Sequence, residues 1–299
     1  MKITILIIAT WVLLLDIRAW ANFTIGFIPD TQIMTQSDAD GQKIKAMNQF
    51  FVDNKNNLNV VFVAALGDMA QSSPGNGDGD DMIAIPAEYD RVKAAYDIYT
   101  LAGIPYAPCM GNHDPVSAMN QWFPVSHFEN TPTWGGSMNG GIENAYYLFE
   151  ADSMDFILVI VEYDAPDEIL NWARKVFAQY PLRRGIFVTH RLTPIDRSQA
   201  QKQVIEQSDN VFLSIAGHNS QESYWTSTSP SGNLQHNFIV DFQDEPDGGA
   251  TVRYYIFRTK ENQVDVRTYN IPTKTHYTDN DSHFSFNYNM SLPINIKRK

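Results

Sequence analysis

The chain holds one cysteine, Cys109, so it cannot close an internal disulfide, and metal sites built on several thiolates are excluded. Stability has to come from a buried core, and 299 residues supply enough surface for one. Positive charge is scarce as well: 22 Lys and Arg stand against 34 Asp and Glu, a formal net charge of −12. A surface of that sign repels polyanions, and no basic run occurs before the terminal Lys297-Arg298-Lys299, so DNA and RNA are poor substrate candidates. Arg183, Arg184 and Arg191 form a local basic patch that reads as solvated loop charges, with reception of a small phosphate as the sharper alternative. Cys109 reads as a small buried apolar residue and not as a nucleophile.

Long apolar runs are missing except near the start, where Lys2 precedes an apolar core from Ile3 to Leu15 and then Ala19-Trp20-Ala21. A charged start, a short apolar stretch and an Ala-x-Ala end define a secretory signal peptide, and the stretch falls short of the ~20 apolar residues of a membrane span. Residues 1–21 are therefore expected to be removed and the protein to be secreted or periplasmic. The remainder, 22–299, is expected to form one domain, since no internal repeat or linker divides it.

What the chain does have is a repeated grammar. Five hydrophobic runs rich in Val, Ile and Phe each end in a polar group. Thr24 to Pro29 leads into Asp30-Thr31-Gln32, and Val60 to Leu66 into Gly67-Asp68. Ile104 to Met110 leads into Gly111-Asn112-His113-Asp114, Gly185 to Thr189 into His190, and Val211 to Ala216 into Gly217-His218. A continuous short apolar run is the pattern of a strand buried on both faces. Any one polar end is an ordinary first loop residue. Together they deliver Asp30, Asp68, Asn112, His113, His190 and His218, and open α/β sheets gather ligands at the carboxyl ends of their strands. Imidazoles, carboxylates and an amide oxygen without thiolates suit manganese, iron or zinc. A carboxylate such as Asp68 can bridge two ions, the clamp used in phosphoryl displacement.

In these blocks and their order the sequence resembles the calcineurin-like metallophosphoesterases, the superfamily of purple acid phosphatases and many phosphodiesterases. The family pattern is Asp-x-His, Gly-Asp, Gly-Asn-His-Asp/Glu, a lone His and Gly-His-x-His, and the agreement runs from about Asn22 to Ser220. The resemblance implies two metal sites. One is complete here: Asp68, Asn112, His190 and His218. The other keeps Asp30 and Asp68 but has Gln32 and Ser220 where the family has imidazoles, so one ion is expected to bind firmly and a second weakly or not at all, with a shift toward harder ions such as manganese or magnesium. His236, His276 and His283 are further candidates to complete that site, each reading more simply as a surface or loop histidine.

The resemblance also implies a mechanism: metal-bound hydroxide attacks phosphorus, His113 protonates the leaving alkoxide, and Asp114 holds the His113 imidazole in its tautomer. The expected activity is hydrolysis of a small phosphate monoester or diester. The alternative, suggested by the two lost imidazoles, is a weakly active or inactive phosphate-ligand module on the same fold.

The expected fold is α/β, with an α+β tail. Ile169, Trp172, Ala173, Val176 and Phe177 lie on one helical face, and Gln42 to Asn54, Ala87 to Leu101 and Gln199 to Gln207 read as helices. Leu234 to Phe242, Thr251 to Thr259 and Gln263 to Tyr269 read as strands. The resemblance implies that two sheets stack into a four-layer sandwich flanked by helices. Two Gly-bearing loops stand near the presumed site. Gln71 to Asp81, with Asp78, Asp80 and Asp81, reads as a surface loop without EF-hand spacing. Thr133 to Gly141 reads either as a flap with Trp134 as a stacking face or as an irregular hairpin connection.

Overall fold

Strand β6 (Met154–Val161) shows why these runs form sheets and where they lie. Its alternate residues Phe156, Leu158 and Ile160 enter the core between two sheets, while Ile157, Val159 and Val161 enter a second core under helices. A strand buried on both faces has no polar face to show, so it reads as one apolar run. The computed structural model describes residues 22–73, 79–195, 197–246 and 248–290, without the side chain of Asp80. The expected signal peptide (1–21), Asp78 and the terminal basic triplet lie outside the described residues.

In chain order the elements are β1 (Phe23–Ile28), α1 (Asp38–Asp53), β2 (Val60–Ala65), α2 (Pro86–Ala102), β3 (Tyr106–Ala107), α3 (Val116–Trp122), α4 (Val125–Phe128), β4 (Trp134–Ser137), β5 (Ala145–Ala151) and β6. There follow α5 (Asp167–Gln179), β7 (Arg184–Thr189), α6 (Gln199–Gln203), β8 (Val211–Ala216), β9 (Glu222–Thr228), β10 (Leu234–Val240), β11 (Thr251–Arg258), β12 (Gln263–Asn270), β13 (Thr275–His276) and β14 (Phe284–Asn287). One mixed sheet runs β13-β12-β11-β1-β2-β3 with β14 on β12, and the other runs β4-β5-β6-β7-β8-β10-β9. Aromatic pairs tie the two together: Phe62 stacks on Phe149 with ring centroids 4.9 Å apart, and Phe23 meets Phe156 edge-on at 5.6 Å. Helices α1 and α2 cover the outer face of the first sheet. The α5 residues Ile169, Leu170, Ala173, Val176 and Phe177 cover the second. This is the helix-flanked double-sheet α/β architecture that the sequence implies.

Polarity of the strands positions everything functional. In the first sheet β1, β2 and β3 run parallel, and in the second β6, β7, β8 and β10 do. Their carboxyl ends therefore meet along one edge. The sheets deliver seven such ends where the sequence reading counted five. The end of β6 adds Tyr163, and the end of β10 adds Asp241 and Gln243.

Several expectations change. The run Ile104 to Met110 yields only a two-residue strand, because its distal half turns away to place Gly111 under Asp68. Trp134 to Ser137 is an edge strand, and the half-buried Trp134 packs against the core through Tyr147 at 5.5 Å and Phe128 at 6.4 Å, which fits the hairpin connection better than a flap. Arg184 is buried and donates to the Met290 carbonyl, and Arg183 binds the Phe149 and Phe156 carbonyls and Asp155; only Arg191 stands beside the strand edge. Cys109 is fully buried, and burial raises its thiol pKa well above the ordinary value. Among the described residues no helix is long and apolar enough to cross a membrane.

Candidate metal centre

Two backbone devices bring the strand ends together. Asp68 and His218 adopt left-handed backbone, with φ of 46° and 75°, a strain of about 1–3 kcal/mol each that is characteristic of functional sites. Gly111 and Gly217 permit contacts that no side chain allows. A Cβ on Gly111 would lie 2.1 Å from Asp68 Oδ1, and one on Gly217 would lie 2.0 Å from Asp30 Oδ1. The glycines of the motifs are thus required by the carboxylates they face.

His190 is completely buried at the centre. Its Nδ1 donates to the Leu66 carbonyl at 2.8 Å, which turns Nε2 toward the site. Nε2 lies 3.2 Å from both Asp68 Oδ1 and Asn112 Oδ1 and 3.9 Å from Asp30 Oδ2. Burial opposes a charge on His190, but the Asp68 and Asp30 carboxylates outweigh it and push its pKa up to about 10. For Asp68 the balance is similar: burial raises its pKa, yet attraction to His190 and the contacts with His113 bring it below the usual carboxylate value. The His218 ring stands 4.9 Å from that of His190, and burial, reinforced by His190, drives its pKa down to about 4, leaving a neutral imidazole with a lone pair to give. One ligand atom from each of Asp68, His190 and His218 falls within 4.8 Å of the others.

A carboxylate, two imidazoles and the Asn112 amide oxygen, all converging, fit a divalent transition ion. The proton that Asp68 and Asp30 hold on His190 is the one such an ion displaces. Three of these four ligands are among the least exposed polar groups of the chain, which favours a compensating charge.

The other half is different. Asp30 is buried, its Oδ2 accepts from the His218 backbone N–H at 3.1 Å, and burial raises its pKa well above the ordinary value. Gln32, in a 3-10 turn after β1, donates through Nε2 to Asp68 Oδ2 at 3.1 Å and to Gln243 Oε1. Gln243 in turn donates through Nε2 to Asp241 Oδ2 and to Ser220 Oγ, both at 3.0 Å. Asp241 is buried and accepts the backbone N–H groups of Ser220 at 2.6 Å and Gln243 at 3.0 Å. Among the described residues no further histidine takes the place of Gln32 or Ser220. His236 stacks on Phe286 at 3.9 Å inside the fold, contrary to its reading as a surface residue; His276 bonds Tyr254 Oη at 2.6 Å, and neither reaches the centre. The residues here do not match an imidazole-bearing second ion.

His113 lies on the rim, with Nε2 4.0 Å from Asp68 Oδ2. Its backbone N–H donates to Asp68 Oδ1 at 2.9 Å, and its Nδ1 donates to the Gln71 carbonyl at 2.9 Å. Asp114, expected to orient this imidazole, is engaged elsewhere. Its Oδ2 accepts from the Met69 and Gly111 N–H groups at 2.9 and 3.0 Å. Its Oδ1 accepts from Ala70 N–H at 3.1 Å and Tyr89 Oη at 3.0 Å. A backbone carbonyl therefore fixes the His113 tautomer, and Asp114 ties the Asp68 and Asn112 loops together. Burial raises its pKa to about 6.

Sequence reading missed Tyr163, Asp241 and Gln243. The Tyr163 ring stands 5.2 Å from His218 and 5.9 Å from His190, and its hydroxyl accepts from Arg191 at 3.3 Å. Beside it a cavity of about 390 Å³ opens between Asp164, Thr189, Arg191, Ser198 and Gln199.

No family model and no curated protein matches the chain. Solved structures do. A dimetal phosphatase from Danio rerio aligns with a TM-score of 0.55 and 14% identity over 89% of this chain and 99% of its own. The GAP50 anchor of the inner membrane complex of Plasmodium aligns with a TM-score of 0.50 and 12% identity over 93% of this chain and 90% of its own. The chain thus shares the fold of that dimetal phosphatase, as the order of the motifs leads one to expect.

Proposed function

We propose that this protein is a metal-dependent phosphoesterase that hydrolyses a small phosphate monoester or diester. The observation that carries this reading is the convergence of Asp68, Asn112, His190 and His218 at one point, with the His113 imidazole beside it. A divalent ion held by those four residues supplies an activated water and neutralises charge on the phosphoryl group. The likeness to a dimetal phosphatase of Danio rerio supports the same chemistry.

The chain's own residues do the rest. The Leu66 carbonyl holds His190 in orientation through Nδ1, and the Gln71 carbonyl leaves His113 Nε2 free to hand a proton to the departing alkoxide. Arg191, bonded to Tyr163 and Asp164, borders a recess wide enough for the alcohol portion of a small ester. One firmly held ion of manganese, iron or zinc is proposed, with a second weak or absent. The N-terminal leader pattern supports export, which a mass beginning at Asn22 for the mature protein would verify.

The test is phosphate release from a panel of alkyl, sugar and nitrophenyl esters by dialysed protein, with and without added manganese. Manganese-dependent release is the expected result. Phosphate binding without release from any ester would favour the binding module suggested by Gln32 and Ser220.

A further inference from the structure

We infer that the Gln32–Gln243 amide pair, locked by Asp241 and Ser220, stands in the place of a second cation, so that the centre holds a single divalent ion. The inference rests on the phosphoesterase reading only for the use of that ion; its evidence is the direction of the hydrogen bonds. Both oxygens of Asp241 receive backbone N–H groups, and a carboxylate so held accepts. Gln243 must therefore turn its Nε2 toward Asp241 Oδ2 and Ser220 Oγ, which leaves its Oε1 facing Gln32. Gln32 must in turn present Nε2, and its two amide hydrogens go to Gln243 Oε1 and Asp68 Oδ2. Reversing the Gln32 amide would set its oxygen against two others with no proton between them.

The result is an N–H donor on Asp68 Oδ2, the oxygen turned toward Gln32. Asp68 Oδ1 faces His190, and Oδ2 is satisfied from within the fold. A neutral amide provides what a second cation provides to the carboxylate, a fixed orientation, without placing a second desolvated charge there. Gln32 and Gln243 are positioning residues on this view. They hold Asp68 as a one-oxygen ligand, and Gln243 achieves this from the end of β10, across 211 positions of the chain.

The experiment is a titration of the purified full chain with manganese, read by calorimetry for stoichiometry and by electron paramagnetic resonance for coupling between ions. One ion per chain with an isolated-ion spectrum is expected, unchanged at millimolar manganese. Gln243→Ala frees Gln32 and should weaken that ion about tenfold, in the range of losses on removing an outer-shell partner, with stoichiometry still one. Gln32→His combined with Ser220→His supplies two imidazoles around Asp68 Oδ2 and should add a second ion with an exchange-coupled spectrum. His is tolerated at the left-handed φ of 43° at Ser220, as His218 already shows nearby. Two coupled ions in the unaltered protein would overturn the inference while leaving the phosphoesterase reading intact. So would an unchanged affinity in Gln243→Ala, a readout that stands even if the double variant fails to fold. No manganese uptake at all would overturn both.

Discussion

The two halves of this centre share Asp68 and differ in every other respect. On one side imidazoles and an amide oxygen converge on Asp68 Oδ1; on the other an amide N–H caps Oδ2 and passes the bond on to Gln243, Asp241 and Ser220. The first half presents lone pairs and calls for a cation. The second pairs its amide donors with acceptors, while Asp30 Oδ1 and Gln32 Oε1 stay buried without a hydrogen-bond partner. A shared bridging residue is therefore no evidence of two ions. Each Asp68 oxygen accepts one N–H, from His113 and from Gln32; what separates the sides is that His190 Nε2 and Asn112 Oδ1 gather at Oδ1, whereas two glutamine amides gather at Oδ2.

The largest effect should come from breaking the imidazole half. His190→Ala removes a ligand and uncovers a buried carboxylate. Phosphate release should fall on the order of 10³-fold in kcat/KM, several kcal/mol of transition-state charge stabilisation. Gln32→Ala, on the other half, should cost no more than about tenfold. Steady-state kinetics of the two variants measures the asymmetry directly, and equal losses would erase it.

Next in size is the proton. His113→Ala should slow cleavage of alkyl phosphates on the order of 10²-fold while leaving nitrophenyl phosphate, whose leaving group needs no acid, much less affected. Asp114→Asn should show no such dependence on leaving group. It should instead lower stability by about 1–3 kcal/mol in urea unfolding, because an amide keeps one acceptor oxygen and turns a second donor on a buried backbone N–H. A leaving-group dependence in Asp114→Asn would return that residue to the role first expected of it.

The glycines give a smaller and more local contrast. A Cβ at Gly111 displaces the ligating Asp68 carboxylate, so Gly111→Ala should weaken manganese binding about 10–100-fold, a loss of the size seen when ligand support is removed. Gly217→Ala presses on Asp30 Oδ1, a buried oxygen without a hydrogen-bond partner on the amide side of Asp68, and should weaken manganese binding about threefold at most on the same scale. Calorimetric titration of both variants is the measurement, and a larger loss in Gly217→Ala would place Asp30 among the ligands.

The imidazole half was legible in the sequence and the amide half was not, for a physical reason. Asp68, Asn112, His190 and His218 each follow a strand buried on both faces, and such strands announce themselves as unbroken apolar runs. Gln243 follows one too, but Leu234 to Val240 begins with Leu-Gln-His-Asn, polar residues whose partners lie inside the fold. Gln235 Nε2, for one, donates to the Ile205 carbonyl at 2.6 Å. Its end therefore did not read as a sixth ligand-bearing strand. The holder of His113 was invisible for another reason: the Gln71 carbonyl is backbone, which no residue type encodes. Trp134 left two readings open because an aromatic beside glycines suits a flap and a hairpin alike, and only pairing with β5 and its contacts with Phe128 and Tyr147 decide for the hairpin.

The smallest effect concerns an imidazole outside both halves, and it isolates what the carboxylates do to His190. His236 is 2% exposed, accepts or donates through Nδ1 to Tyr224 Oη at 2.9 Å and lies against Phe286. With no carboxylate holding its proton, burial outweighs a backbone hydrogen bond at Asn287 and lowers its pKa to about 4, the reverse of His190. The folded chain then keeps His236 neutral where the unfolded chain, near 6.5, is already protonated. Its contribution to stability is complete above that value and is lost as pH falls from about 6.5 toward 4, at up to ~1.4 kcal/mol per unit. His236→Gln loses the imidazole packing but carries no such penalty. The stability gap between the parent and this variant, measured by urea midpoints, should narrow by about 2 kcal/mol between pH 7 and pH 4.5. Manganese-dependent phosphate release at pH 7 should not change. A gap that stays constant with pH would mean that burial is not what holds this ring neutral. The opposite shifts of two buried histidines would then need a cause other than the presence or absence of neighbouring carboxylates.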